Sequence, residues 1–147
     1  MSMSHLDRAI ILATRAHSGQ IDKSGLPYIL HPLRVMLKMT TEEERIIAVL
    51  HDVLEDTDVT AHDLSAEGFS DEIVEAVQAL SRSEDEDYHE FVKRAKKNSL
   101  ARPVKIADIE DNMDPSRILS STDKDMERIS KYGKALDELM TEENPTH

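Results

Sequence analysis

His51, Asp52, Glu55 and Asp56, set in the run His51-Asp-Val-Leu-Glu-Asp-Thr57, are residues whose types and spacing could do chemistry. On a helix, residues four apart share a face, so His51 stacks over Glu55 and Asp52 over Asp56. The four titratable side chains then fill one arc of about 140°. The rest of the helix surface carries Ile46, Leu50, Val53 and Leu54. Polar groups kept together beside a core are costly unless they bind something, and a divalent metal neutralises them most simply.

A His-Asp pair alone is a common dipeptide, and a Glu-Asp pair is usually a solvated helix end. A metal centre needs further ligands. His31, in Gly25-Leu-Pro-Tyr-Ile-Leu-His31-Pro32, and Asp108, in Val104-Lys-Ile-Ala-Asp108-Ile-Glu-Asp-Asn112, are the candidates. With His51 and Asp52 they make two imidazoles and two carboxylates. That mixed set suits Mn²⁺, Fe²⁺, Co²⁺ or Zn²⁺ with positions left for water. Thiolate zinc is excluded, because the chain has no cysteine.

The order His31, His51-Asp52, Asp108 resembles the metal signature of the HD-domain phosphohydrolases. A narrower resemblance follows from Ala16-His17-Ser-Gly19-Gln20, Lys23-Ser-Gly25-Leu-Pro27-Tyr28-Ile-Leu-His31-Pro32, His51-Asp52-Val-Leu-Glu55-Asp56-Thr57 and Lys105-Ile-Ala-Asp108-Ile-Glu-Asp-Asn112. These four motifs, from residue 16 to residue 112, are similar to the hydrolase domain of the RelA/SpoT family in order and spacing. The resemblance implies a compact all-α HD-domain fold and a divalent metal, Mn²⁺ in that family. Its ligands would be His31, His51, Asp52 and Asp108, with Glu55 and Asp56 as the catalytic pair that orients or deprotonates water. Lys23 and Asn112 would contact substrate.

The implied reaction is removal of the 3′-pyrophosphate of guanosine tetra- or pentaphosphate, giving GDP or GTP plus pyrophosphate. One departure bears on substrate. Many family members have a basic pair where this chain reads Asp22-Lys23, and Asp22 cannot stack on a base as a guanidinium does. That keeps open the same enzyme class acting on another phosphorylated nucleotide. A non-catalytic nucleotide-binding module is a third reading, against which the complete ligand and Glu-Asp sets argue.

At 147 residues the chain reads as one domain, 1–147, the small single-domain alarmone hydrolase type without a synthetase domain. Eighteen basic and thirty acidic residues leave a formal charge of −12 spread along it. Such a surface repels nucleic acid and anionic membranes, so the expected partner is a small phosphorylated nucleotide. Attraction for an anion must then be local, from the bound cation, Lys23, and Lys105 or Arg34. No apolar run is long enough to span a bilayer and no signal pattern opens the chain, which predicts a cytoplasmic protein.

The elements that must position these residues all read as helices, with four glycines and five prolines and no sustained period-two alternation. Ser4-His-Leu-Asp7 predicts a capping box, followed by Leu6, Ile10, Ala13 and His17 at helical spacing. Further helices are predicted over 28–39, with Pro32 able to kink its first turn, and over 42–54, carrying the His-Asp motif. Others follow at 60–66, 71–80 and 88–97, then one opened by Pro103 that carries Asp108. A final helix over 122–140 packs through Met126, Ile129, Leu136 and Leu139, and 142–147 reads as a tail. His17 is expected to order a loop and Tyr28 to pack. Lys105 could pair with a structural carboxylate or with substrate phosphate. His5, His62, His89 and His147 are expected on the surface.

Overall fold

The computed structural model describes residues 3–114 and 123–141. Among these, the regular structure is helical apart from one antiparallel bridge between Ile21 and Pro27. Helix α1, His5–Ala16, begins with the expected capping box, in which Ser4 Oγ accepts from Asp7 N and Asp7 accepts from Ser4 N. Ala9 and Ala13 form its buried stripe. Helix α2, Leu30–Leu37, is shorter than 28–39, and Pro32 lies in its first turn. There its missing N–H has no partner to lose, so the proline starts the helix without kinking it.

Helix α3, Glu42–Leu50, is capped by Thr41 and carries three glutamates in its first turn, matched to the helix dipole. Its last five residues, Ile46 to Leu50, are all buried, because α1, α2, α6 and α8 pack around it. The continuous helix expected over 42–54 is broken. Helix α3 ends at Leu50, and a separate turn, α4 (Val53–Asp56), follows. The cause is local. The Ala48 carbonyl, which Asp52 N–H would use in an unbroken helix, accepts the His51 backbone N–H at 3.3 Å and the His51 ring Nδ1–H at 2.6 Å. His51 and Asp52 therefore form a junction between helices, and the stacking assumed for one continuous helix is replaced by a turn.

Helices α5 (Ala61–Ala66), α6 (Asp71–Ala79) and α7 (Tyr88–Lys97) start at Thr60, Ser70 and Asp87, each accepting a backbone N–H at its own N-terminus. Helix α8, Ala101–Asn112, carries Pro103 in its first turn as expected. Helix α9 runs Asp123–Met140. Leu139 is buried on it and Ile129 and Leu136 half-buried, but Met126 is exposed, contrary to its expected packing role. The main core joins α1, α2, α3, α6 and α8; a smaller one, Val92, Ile109, Ala135 and Leu139, ties α7, α8 and α9. Thr122, His147 and the tail 142–147 lie outside the described residues.

Candidate metal and catalytic site

The buried face of α2 presents His31, the end of α3 presents His51, and α8 presents Asp108. One nitrogen or oxygen of each lies within 4.8 Å of the others. His31 Nε2 is 2.9 Å from Asp108 Oδ1, and His51 Nε2 is 3.4 Å from that same oxygen. Asp52, from the junction, brings Oδ2 to 3.0 Å from His51 Nε2 and 3.8 Å from His31 Nε2. The four residues expected as ligands are thus brought together.

The ring orientation of His51 is set from behind. A carbonyl only accepts, so Nδ1 must carry the proton it gives to Ala48, and neutral His51 keeps its lone pair on Nε2. That nitrogen is buried without a well-directed hydrogen bond and faces two carboxylates. A cation between them is what such an arrangement lacks, so the donor set fits a divalent metal. Asp111 backs His31 in the same way. Its Oδ2 is 2.6 Å from His31 Nδ1, and Arg34 donates to both its oxygens at 2.8 and 3.1 Å. Such carboxylate-backed imidazoles are the usual outer layer of metal centres.

The charges compensate one another. Burial alone would lower the His51 pKa, but the Asp52 and Asp108 carboxylates outweigh it and hold the imidazole well above its ordinary value. Burial likewise opposes His31, and hydrogen bonds to Asp108 and Asp111 raise it. For Asp108, burial is overcome by Lys105 and then His51, which hold the carboxyl well below the usual range. In the metal-free protein, protons on the two imidazoles do the neutralising.

Asp56 behaves differently. Burial, Asp52 and Glu55 push its carboxyl up to about 6. Its neighbour Glu55 is anchored, with Oε1 accepting the backbone N–H of Arg82 at 2.7 Å. Gln20 holds the Asp56 main chain through Nε2 to the carbonyl, 3.1 Å, and Gln20 Oε1 lies 2.9 Å from His17 Nδ1. His17 therefore orders the loop, as expected. Tyr28 does more than pack: its hydroxyl donates to Asp52 Oδ2, while its ring lies 5.1 Å from that of His17 and 5.8 Å from that of His31. Burial and Asp52 keep that hydroxyl protonated far above its ordinary pKa.

Lys105 makes the expected carboxylate pair and also lines the cleft described below. Its ammonium is 3.0 Å from Asp108 Oδ2 and 4.6 Å from the Phe91 ring centre. Arg34 is likewise committed to Asp111. Asn112 donates to Asp108 Oδ1 at 3.2 Å and lines a cleft of about 220 Å³ together with His31, Asp52, Glu55, Asp56 and Asp108. Lys23 is exposed and outside the residues lining that cleft. Asp22 closes its own loop, its Oδ1 accepting from Ser24 N at 2.8 Å and Leu26 N at 3.0 Å. Gly25, at φ 80°, completes the turn in a conformation that favours glycine. The departure at position 22 thus has a local structural reason. His5, His62 and His89 are exposed as expected.

Asp111, Arg82, Tyr88 and Lys131 were missed by the sequence reading. Only Asp111 carried a signal. It lies one turn beyond Asp108 on the same helix, as Arg34 lies one turn beyond His31.

Comparison with known proteins bears on the same residues. The HD domain family model matches residues 9–113, which include every residue of the cluster. The guanosine-3′,5′-bis(diphosphate) 3′-pyrophosphohydrolase of Vibrio cholerae is 41% identical over 81 residues, 52% of this chain and 11% of that protein. The protein of the same name from Aquifex aeolicus is 31% identical over 120 residues, 74% of this chain and 17% of its own length. The chain therefore spans a small fraction of these curated relatives. A solved structure described as a metazoan ortholog of SpoT that hydrolyzes ppGpp superposes with a TM-score of 0.77, covering 95% of this chain and 88% of that one at 21% identity. That likeness shows the fold.

Proposed function

This chain belongs to the HD domain family, and on that premise we propose that it is a metal-dependent 3′-pyrophosphohydrolase of guanosine tetra- and pentaphosphate. The observation that carries the reading is the buried Nε2 of His51, 3.0 Å from Asp52 and 3.4 Å from Asp108, with the Asp56 carboxyl pushed up to about 6 in the same cleft. The names of the curated relatives support the substrate.

His31, His51, Asp52 and Asp108 would hold the divalent ion, Mn²⁺ by preference. Such an ion polarises a phosphate and makes a nearby water more acidic. The chain's own residues supply the rest. Asp56 accepts the proton of the attacking water, and a carboxyl of pKa about 6 does this well near neutrality. Glu55, held by the Arg82 N–H, keeps a fixed orientation beside it. Water attacks the phosphorus next to the 3′ oxygen, the P–O3′ bond breaks, and the 3′ oxygen takes up a proton as pyrophosphate leaves. Asn112 contacts substrate oxygens in the cleft, and Lys23 is an outer contact on the α1–α2 loop. The described helices act as a single cytoplasmic hydrolase domain that does not bind nucleic acid.

The deciding experiment strips the protein of metal and incubates it with guanosine tetraphosphate, with and without Mn²⁺, following GDP and pyrophosphate. Metal-dependent release of both is expected. A metal-loaded protein that releases neither would overturn the reading.

A further inference from the structure

In a chain of net charge −12, two cations at or beside the His–Asp cluster are held by carboxylates, Arg34 by Asp111 and Lys105 by Asp108. Two cations that line the active-site cleft, Arg82 and Lys131, make no such ion pair among the described residues. Both address one aromatic ring. Lys131 Nζ stands 4.4 Å from the Tyr88 ring centre, and Arg82 Cζ stands 5.8 Å from it. The Tyr88 hydroxyl is buried and has no hydrogen-bond partner among the described residues.

The surroundings of these two cations are themselves cationic. Lys131 is pushed below its ordinary pKa by burial and then by Arg82, Arg128 and Lys105, all of them cations. Burial pushes the Tyr88 hydroxyl up to about 12, so it is a proton donor at neutral pH. Arg82 and Lys131 are exposed, so an anion entering the cleft would meet two like charges and a donor on one side of it.

The arm carrying Arg82 is also built in advance. Arg94 donates to the carbonyls of Gln78 at 3.0 Å and Ser81 at 2.8 Å and grips Glu86. Arg82 Nε donates to the Glu86 carbonyl at 2.8 Å, and Arg82 N donates to Glu55. The loop is thereby fixed to the catalytic turn, with the remaining guanidinium nitrogens not engaged in any of these bonds.

We propose that Arg82, Tyr88 and Lys131 form a subsite for a second phosphate group of the substrate, distinct from the phosphate that meets the His–Asp cluster. Three donors from the α6–α7 loop, α7 and α9 suit an anion with several oxygens, and guanidinium and ammonium groups are the usual phosphate partners. The proposal rests on the reading of the substrate as a multiply phosphorylated nucleotide. The phosphate has two sources there, the 5′ end or the distal phosphate of the 3′-pyrophosphate.

The test uses Lys131→Gln, Tyr88→Phe and the rescue variant Lys131→Arg. With guanosine tetraphosphate, Lys131→Gln is expected to raise KM about tenfold while kcat stays within about twofold, and Lys131→Arg to restore KM. Repeating the assay with guanosine 3′-diphosphate identifies the source. If the Lys131→Gln effect disappears, the subsite holds the 5′ phosphate; if it persists, the subsite holds the distal 3′ phosphate. Calorimetry of inorganic pyrophosphate binding to the metal-free protein needs no turnover. Weaker binding to Lys131→Gln and Tyr88→Phe than to the unaltered protein supports the subsite even if guanosine tetraphosphate is not hydrolysed. Pyrophosphate binding and KM both unchanged by these variants would overturn it.

Discussion

His31 Nδ1 and Asp111 Oδ2 stand 2.6 Å apart in a buried contact that joins α2 to α8 behind the His–Asp cluster. Asp111 carries Arg34 on its other side, so one carboxylate fixes an imidazole and is itself neutralised. Bonds from His31 and Arg34 overcome burial and hold its carboxyl well below the usual range. The arrangement aims His31 Nε2 at Asp108 before any ion arrives.

Replacing Asp111 by Ala frees the His31 ring and leaves Arg34 without its partner. Metal affinity should fall about 10- to 100-fold, the usual cost of losing such a backing group. Competition against a metal-binding dye measures it. Unchanged affinity would mean that His31 is oriented by packing alone.

Protons and metal compete for the same nitrogens. The raised pKa values of His31 and His51 mean that binding an ion at neutral pH displaces protons. Calorimetry in buffers of different ionisation enthalpy should detect that release. The stability consequence has a sign. A raised histidine pKa stabilises the metal-free fold fully below the unfolded value near 6.5, and that contribution is lost as pH rises through the folded value. Asp108, with its pKa lowered well below 3.8, contributes above the unfolded value and loses its contribution as pH falls through the folded one. Chelation should therefore lower Tm more at pH 9 than at pH 6. An equal loss at both would contradict it.

Asp56→Asn should abolish turnover and stabilise the metal-free protein. The folded carboxyl is pushed up to about 6 from its ordinary value of 3.8, so the charged form is disfavoured in the fold. Its stabilising contribution is complete below the unfolded value and is lost as pH rises to about 6. A shift of this size corresponds to no more than about 3 kcal/mol. Asp56 is open to solvent on one side, and screening there reduces that to about 1 kcal/mol. The variant should melt about 3 °C higher at pH 7.5 and match the unaltered protein at pH 4. Thermal melts across that range decide it.

Asp22→Asn keeps an acceptor oxygen for Ser24 N and Leu26 N and should leave stability nearly unchanged. Asp22→Arg removes both bonds and should cost about 1–2 kcal/mol. It should also fail to tighten guanosine substrates, because the loop it would act from is no longer closed. A lower KM in Asp22→Arg would return position 22 to base recognition.

Much of the architecture was legible in the sequence, since caps and apolar spacing are decided within a few residues. Ser4, Thr41, Thr60, Ser70 and Asp87 begin their helices as local hydrogen bonding dictates. The break at His51 escaped that reading, because periodicity does not show a side chain taking its own helix's carbonyl. His31, His51, Asp52 and Asp108 are recognisable by type and order, which the family resemblance turns into a ligand set. Their convergence depends on α2 and α8 packing around α3.

Tertiary structure alone decided which charges are consumed and which face the cleft. Lys105 and Arg34 look available in the sequence and are paired in the fold, Lys105 at the edge of the cleft itself, whereas Arg82 and Lys131 look unremarkable and line the cleft without an ion pair among the described residues. Electrostatic partnership depends on distance in space and on burial, and a linear order of residues contains neither.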